Sequence, residues 1–247
     1  MMKRNGCLLI LLALSFFPVY DLCSTEVACE GGAYYARQRS CPSKSTFCGW
    51  GQRAQFAYRK QYRNFGQTDR LYLAQGTLSG SDPFDDRVKI HYREMDGECW
   101  LTYCCRQGNW QIAPLLGFGV YLRWEKRVKP FTCHLDTNFL YIPFGVQIHY
   151  SFLNHFSVGA QFKADFMAFT WWRYRHSLLS SKFHQLQRRV GCEVKGWLCY
   201  DFSSRWSVAL TPAFRYLDLH YPSRMAWSPE EKHLFYYGIN IGVVYCY

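Results

Sequence analysis

The chain has 247 residues, a formal charge of +11, 19% aromatic residues and a mean hydropathy of −0.24. No apolar run reaches the ~20 residues that a membrane-spanning helix needs, so a membrane could be crossed only by strands. The cations are spread along the chain without a nucleic-acid-binding motif, and nucleic acid is therefore not an expected partner.

Residues 1–24 are typical of a secretory signal peptide. Lys3 and Arg4 precede an apolar run from Cys7 to Val19, and Ser24 is a small residue suited to a cleavage site. Cleavage there would leave ten of the twelve cysteines in an exported protein. An even number of cysteines in an oxidising compartment predicts disulfides.

The region that follows is harder to interpret. Residues 25–50 contain Gly, Ser, Pro and three cysteines without an apolar period, and we expect an irregular segment tied by disulfides. Residues 51–106 fit two long strands with a bulge, or else a hairpin that turns at Asp96 and Gly97. The first option gives eight strands in the whole chain and the second gives up to ten; eight is preferred.

Six further segments alternate between apolar and polar residues with the period of a β-strand. They are 109–124, 138–152, 155–172, 188–202, 205–221 and 235–247. Short links alternate with longer polar ones at 125–137, 173–187 and 222–233. This asymmetry is typical of a barrel with tight periplasmic turns and longer outer loops.

The polar face of these segments carries charges in the middle of strands, whereas the other face is almost purely apolar. We expect Leu140, Phe162, Leu210 and Ile241 to contact lipid. The charges expected inside the lumen are Lys163, Asp165, Glu193, Lys195 and Arg215. The fold class predicted is all-β: an antiparallel, up-and-down transmembrane β-barrel of eight or ten strands, extending over residues 51–247.

A barrel of this size has an interior just wide enough to be filled by side chains. Large residues expected on the inward face would narrow it further, namely Phe139, Tyr141, Phe169, Trp171 and Trp197. A small porin is therefore a weak hypothesis.

The signal peptide, the alternating hairpins and a last strand that ends Val243-Val244-Tyr245-Cys246-Tyr247 together resemble a small bacterial outer-membrane β-barrel. This resemblance implies location in the outer membrane and recognition of an aromatic C-terminal strand by the barrel-assembly machinery. It gives Val243, Tyr245 and Tyr247 the role of insertion signal.

The cysteine content is similar to that of the disulfide-cross-linked envelope proteins of obligate intracellular bacteria. Seven disulfide candidates are expected towards the periplasmic end: Cys29, Cys41, Cys48, Cys104, Cys105, Cys199 and Cys246. Pairing within the chain and pairing with other envelope proteins both remain open.

A weaker resemblance concerns omptins, the proteases of the outer membrane, which use an Asp-x-His pair together with two Asp residues on an opposite loop. Asp218 and His220 match the pair. Asp136 is the single candidate in loop 125–137, while Asp82, Asp85 and Asp86 lie where no facing loop is expected. The strand phase also puts Asp218 and His220 on the lipid side, away from the barrel mouth.

A basic cluster is expected near the outer rim, where it could contact lipopolysaccharide or lipid headgroups. It comprises Arg173, Arg175, Lys182, Arg188 and Arg189, and Lys126, Arg127 and Lys129 would extend it.

These observations favour a structural or surface-interaction protein of the outer membrane, braced or cross-linked by disulfides. The alternative is a barrel enzyme that acts on peptide or lipid. The expected partners are outer-membrane lipid or lipopolysaccharide, the assembly machinery and other envelope proteins. No cofactor and no metal are expected, because the cysteines and histidines lack ligand spacing.

Overall fold

The computed structural model describes residues 24–41, 45–82, 85–128, 132–153, 155–176, 179–220 and 231–247, with the side chains of 82–86, 153, 176–188 and 220 left out. The predicted signal peptide lies outside these residues, apart from Ser24. In the described part of the chain, no helix is long and apolar enough to span a bilayer.

All regular structure in the described ranges is β-strand. The eleven strands are β1 (Ser24–Cys41), β2 (Thr46–Tyr62), β3 (Phe65–Asp82), β4 (Asp85–Tyr103), β5 (Cys105–Gln107), β6 (Trp110–Arg127), β7 (Cys133–Leu153), β8 (Phe156–His176), β9 (Leu179–Asp201), β10 (Trp206–His220) and β11 (Glu231–Cys246).

Apart from β4 and β5, strands that are neighbours in sequence pair antiparallel, and β1 pairs with β11, which closes the barrel. Both β4 and β5 pair with β6, so they form one continuous wall element interrupted at Cys104. The eleven strands therefore form ten wall positions, and the expectation of eight was wrong.

One of the two extra strands lies in the region predicted to be irregular, and the other arises because β2, β3 and β4 occupy the region for which two strands were preferred. Residues 24–41 form β1, which pairs with β2 along its length, with Gly31 opposite Ala54. Asp96 and Gly97 do not turn a hairpin but lie within β4, opposite Tyr72 and Leu71 of β3. The short, varied side chains of β1 hid its alternation.

The first and last described residues meet at one end of the barrel, where the Tyr247 amide donates a hydrogen bond to the Thr25 carbonyl over 2.9 Å. Short links lie at this end, at 63–64, 108–109 and 202–205, and the end of β7 and the start of β8 lie there too. Gly108 supplies the left-handed φ of 57° that its tight turn requires. We call this the periplasmic end, following the topology of outer-membrane barrels.

The outer ends of the strands extend further than the sequence suggested. Most of 125–137 and 173–187, predicted to be loops, is strand in β6 to β9. Above the bilayer the outward face meets water, so the backbone ladder continues without the apolar alternation that reveals a strand.

The outward face carries an apolar belt bounded by aromatic residues. On β6 it runs from Trp110, 52% exposed, through Leu116 and Phe118 to Trp124, 38% exposed. Fourteen residues on a strand tilted by ~45° rise about 33 Å, which is close to the ~30 Å thickness of a hydrocarbon core. Phe162, Leu210 and Ile241 are also exposed on this face.

One local irregularity changes which aromatic residues fill the lumen. A register shift lies between Met167 and Phe169 on β8. Beyond it Trp172 is buried inside, while Phe169 and Trp171 take the outward phase, contrary to expectation. A bulge adds one residue to a strand and so reverses its phase, which the sequence pattern cannot show.

Small residues inside the barrel make room for large ones. A Cβ atom on Gly51 would lie 2.6 Å from the Tyr34 hydroxyl oxygen, and one on Gly119 would lie equally close to that of Tyr141. Both tyrosines are fully buried. Glycines in the wall therefore let tyrosine rings cross the lumen.

Candidate functional site

The middle of the lumen is filled by a network of ion pairs centred on Lys163. Its ammonium group lies 2.8 Å from Glu193 and 3.3 Å from Asp165, and it also contacts Glu98. Arg70 makes two parallel hydrogen bonds to Glu193 at 3.0 and 3.1 Å. Because Arg70 lies on β3 and Glu193 on β9, this pair joins opposite walls of the barrel.

Further pairs complete the same layer. Arg215 lies 2.6 Å from Asp96 and 3.6 Å from Asp165, and the Tyr141 hydroxyl donates to Asp96 over 2.6 Å. Lys195 lies 2.8 Å from Glu193 and donates to Gln55 over 3.0 Å.

A second, smaller layer lies closer to the outer mouth. Arg123 lies 2.6 Å from Glu125 and also contacts Glu94, while Lys232 lies 3.0 Å from Glu125. The Tyr236 hydroxyl donates to Glu94 over 2.5 Å. These contacts join β4 and β6 to β11.

The charges in both layers balance. The central layer pairs four cations, Arg70, Lys163, Lys195 and Arg215, with four carboxylates, Asp96, Glu98, Asp165 and Glu193. All of these residues are less than 10% exposed. Buried charges persist when oppositely charged partners lie close to them, so the two layers form a polar core inside the barrel.

The five residues predicted as lumen charges all lie in the central layer. Arg70, Asp96 and Glu98 were not predicted, because the sequence left open which face of β3 and β4 points into the lumen. Arg70 is two residues from Tyr72, and Asp96 and Glu98 are spaced by two with Trp100. This spacing of two, which puts residues on one face of a strand, could have identified them as inward-facing.

Below the central layer, a polar vestibule of about 480 Å³ opens to the periplasmic end. Its wall includes Gln55, Trp100, Gln161, Lys195 and Trp197. Trp197 thus faces inward as expected.

The candidate protease pair does not form a catalytic arrangement among the described side chains. Asp218 lies on the outward phase of β10, where it is 2.8 Å from Arg189 and 3.5 Å from His233. The side chain of His220 lies outside the described residues. Asp82 ends β3 and Asp85 begins β4, so both lie at the outer end of the barrel wall.

The predicted headgroup cluster is divided. Arg175 lies 3.2 Å from Asp136, and Arg189 contacts both Asp218 and Glu231, while Arg173 is exposed on the outer wall. The side chains of Lys182 and Arg188, and residue Lys129, lie outside the described part of the chain. Lys126 is exposed on β6.

The ten described cysteines are free thiols. Cys41 and Cys48 lie at the outer end of β1 and β2, not at the periplasmic end as predicted, because β1 crosses the membrane. Cys104, Cys199 and Cys246 line the periplasmic vestibule, and Cys105 is exposed beside it. Cys192 lies on β9, and Cys133 begins β7.

The residues predicted as an insertion signal lie on the outward face of β11. Val243 is 40% and Tyr247 75% exposed. The Tyr245 ring packs at 4.6 Å, between centroids, from both Trp206 and Tyr247. Together they form part of the periplasmic aromatic girdle.

No protein-family model and no curated protein matches the chain. Solved structures, in contrast, do match the chain. The outer membrane protease OmpT from Escherichia coli superposes with a TM-score of 0.67 at 8% identity, covering 93% of this chain and 99% of OmpT. The translocator domain of the autotransporter NalP from Neisseria meningitidis gives a TM-score of 0.52 at 10% identity, covering 98% and 95%.

At these identities the similarity establishes the fold alone. With its closed wall of ten strand positions, apolar outer belt and charged interior, the chain has the fold of outer-membrane β-barrel proteins.

Proposed function

We propose that this protein is a non-conducting barrel that anchors its outer strand ends and loops at the bacterial surface, in a structural or surface-interaction role. The observation that carries the proposal is the bond between Arg70 and Glu193, which spans the lumen from one wall to the opposite one. Side chains that meet across the lumen obstruct an aqueous channel.

Conductance measurements in planar bilayers test the proposal. The wild-type barrel should give no steady current. The double variant Arg70→Ala, Glu193→Ala removes the bridge while keeping the net charge, and it should raise the open probability or conductance. The matched control, Arg59→Ala with Glu26→Ala, removes an exposed ion pair of 3.2 Å on the periplasmic side and should stay closed. Steady wild-type current would overturn the proposal in favour of a porin.

Cross-linking to other envelope proteins is the second part of the proposal. A disulfide needs Cα atoms about 4.4–6.8 Å apart, a separation typical of directly opposed residues on adjacent strands. No two of the ten described cysteines are register partners: Cys29, for example, faces Phe56 and Val243. The strand register therefore favours disulfides between molecules over disulfides within the chain. The exposed Cys29, Cys41 and Cys105 are suited to them.

Non-reducing gels of whole envelopes should show reducible high-mass species that diminish in the Cys29→Ser, Cys41→Ser, Cys105→Ser variant. Replacing Cys104, which is buried, by Ser is the control. If the wild type and both variants give the same pattern of high-mass bands, the cross-linking proposal is wrong.

The alternative, a barrel protease, has a direct test as well. The purified barrel is incubated with a mixed peptide library, and hydrolysis that is lost in Asp218→Asn would replace the structural proposal with an enzymatic one.

A further inference from the structure

A groove of about 770 Å³ lies on the outer wall of the barrel, near the outer ends of β2 to β8. The outward residues of two neighbouring register rows line it. Its polar and aromatic lining includes Trp50, Gln52, Gln75, Thr77, His91, Arg93, Trp124, Lys126, His134, Asp136 and Arg175.

The tryptophans of the groove indicate where it lies relative to the bilayer. Trp124 ends the apolar belt of β6, and Trp50 is 69% exposed on β2. Tryptophan collects at the boundary between hydrocarbon and headgroups. Lys126, the next outward residue above Trp124, therefore lies at the level of the outer-leaflet headgroups.

The groove carries an excess of positive charge. Lys126 lies opposite His91 on β4 and His134 on β7, and Arg93 lies opposite Trp124. Arg93 and Lys126 form no ion pair with any residue that the structure describes.

The carboxylates nearby are already engaged. Asp136 lies 3.2 Å from Arg175, and Glu125 points into the lumen towards Arg123 and Lys232. Arg93 and Lys126 are diagonal neighbours on β4 and β6, because Arg93 lies opposite Trp124, and a shared counter-ion would relieve the repulsion between these like charges.

We infer that this groove binds the phosphate-bearing headgroup of an outer-leaflet lipid. Arg93 and Lys126 supply the charge-assisted donors, as arginine and lysine commonly do for phosphate. Gln52 and Gln75 offer neutral donors along the wall, and the two indoles border the acyl chains. An acidic protein is less suited, because the lower edge of the groove adjoins the lipid belt.

The site overlaps the predicted headgroup cluster at Arg175 and at Lys126, which was predicted to extend it, but it is centred on β4 and β6 rather than on β8 and β9. Of that cluster, Arg175 lines the groove, whereas Arg189 is held by Asp218 and Glu231 away from it. The inference rests on the outer-membrane fold and is independent of whether the lumen conducts.

The test uses the mature barrel in nanodiscs of phosphatidylcholine with an increasing fraction of phosphatidic acid. Native mass spectrometry then counts the phosphatidic acid retained per barrel. Wild type should retain phosphatidic acid preferentially, and Arg93→Gln with Lys126→Gln should weaken retention by about tenfold or more, as expected for two lost charge-assisted contacts. The matched control, Arg106→Gln with Arg205→Gln, removes two exposed cations at the periplasmic end and should retain lipid like wild type.

Each alternative outcome contradicts the inference. Equal retention by wild type and the groove variant, or equal loss in the control variant, would show that the groove is not the site. Displacement by inorganic phosphate at equal concentration would identify a free-anion site, and stronger binding of polyglutamate would identify an acidic protein surface. Heat-modifiability on gels establishes that each variant is folded, and the single Lys126→Gln variant replaces the double one if it is not.

Discussion

At the residue scale, the most consequential feature is a lysine with no access to water. Lys163 is completely buried and lies among Glu98, Asp165 and Glu193. Each of these carboxylates has at least one other cation nearby. Lys163, however, is the cation that pairs with all three of them. Removing one partner of a buried ion pair leaves uncompensated charge, which costs more than the pair itself contributes.

Lys163→Met keeps the length of the side chain and removes its charge. We expect the free energy of unfolding to fall by about 3–5 kcal/mol, the usual cost of breaking a buried pair from one side. Urea unfolding in lipid vesicles, followed by tryptophan fluorescence, measures the change.

Arg205→Met provides the comparison, because Arg205 is exposed in a periplasmic turn. Its effect should remain within about 0.5 kcal/mol. Equal unfolding free energies for the two variants would show that the lumen layer contributes no stability.

At the scale of the element, β11 both closes the barrel and carries the predicted insertion signal. It pairs with β10 on one side and with β1 on the other, so the barrel is open until it is in place. Its outward residues also form the predicted insertion signal. A strand that closes a barrel removes the last free edges, and free edges are prone to aggregation.

Replacing Tyr245 and Tyr247 together by Ala separates these tasks. We expect most of the protein to fail to assemble in cells, while the same variant refolds in detergent, because the backbone ladder of β11 is unchanged. The fraction that migrates as a folded, heat-modifiable species measures both. Tyr216→Ala with Tyr237→Ala, two aromatics from the same outward face of β10 and β11, is the control. Normal assembly of the Tyr245 and Tyr247 variant in cells would contradict the signal role.

At the scale of the whole molecule, the belt determines how the barrel sits in the bilayer. Ile239 is 49% exposed in the middle of β11, between Ala33 of β1 and Pro212 of β10. On a soluble protein an arginine at an exposed position would be tolerated. In a bilayer it must leave water for hydrocarbon.

Ile239→Arg should therefore make folding into vesicles less favourable by about 2–4 kcal/mol, as found for arginine near the bilayer midplane. Ser79→Arg, exposed near the outer end of β3, should change it by about 0–1 kcal/mol. Reversible folding titrations in phospholipid vesicles measure both. If the two substitutions have equal effects, the belt does not face lipid.

The sequence by itself determined the class of fold, because a lipid-facing wall and a polar lumen impose a strict alternation of residues over every strand inside the bilayer. That constraint acts locally, so it was readable at Phe162, Leu210 and Ile241, and at the lumen charges of β8, β9 and β10. It is absent where the strands rise above the membrane, and weak where small residues line the wall, which is why β1 and the outer strand ends escaped prediction.

The tertiary structure decided the number of strands, the phase reversal at the β8 bulge and the identity of the partners. Arg70 and Glu193 are 123 residues apart in sequence, and Lys126 meets His91 and His134 through register alone. Such pairings depend on the order and shear of the strands around the closed barrel. No local pattern of residues encodes that geometry.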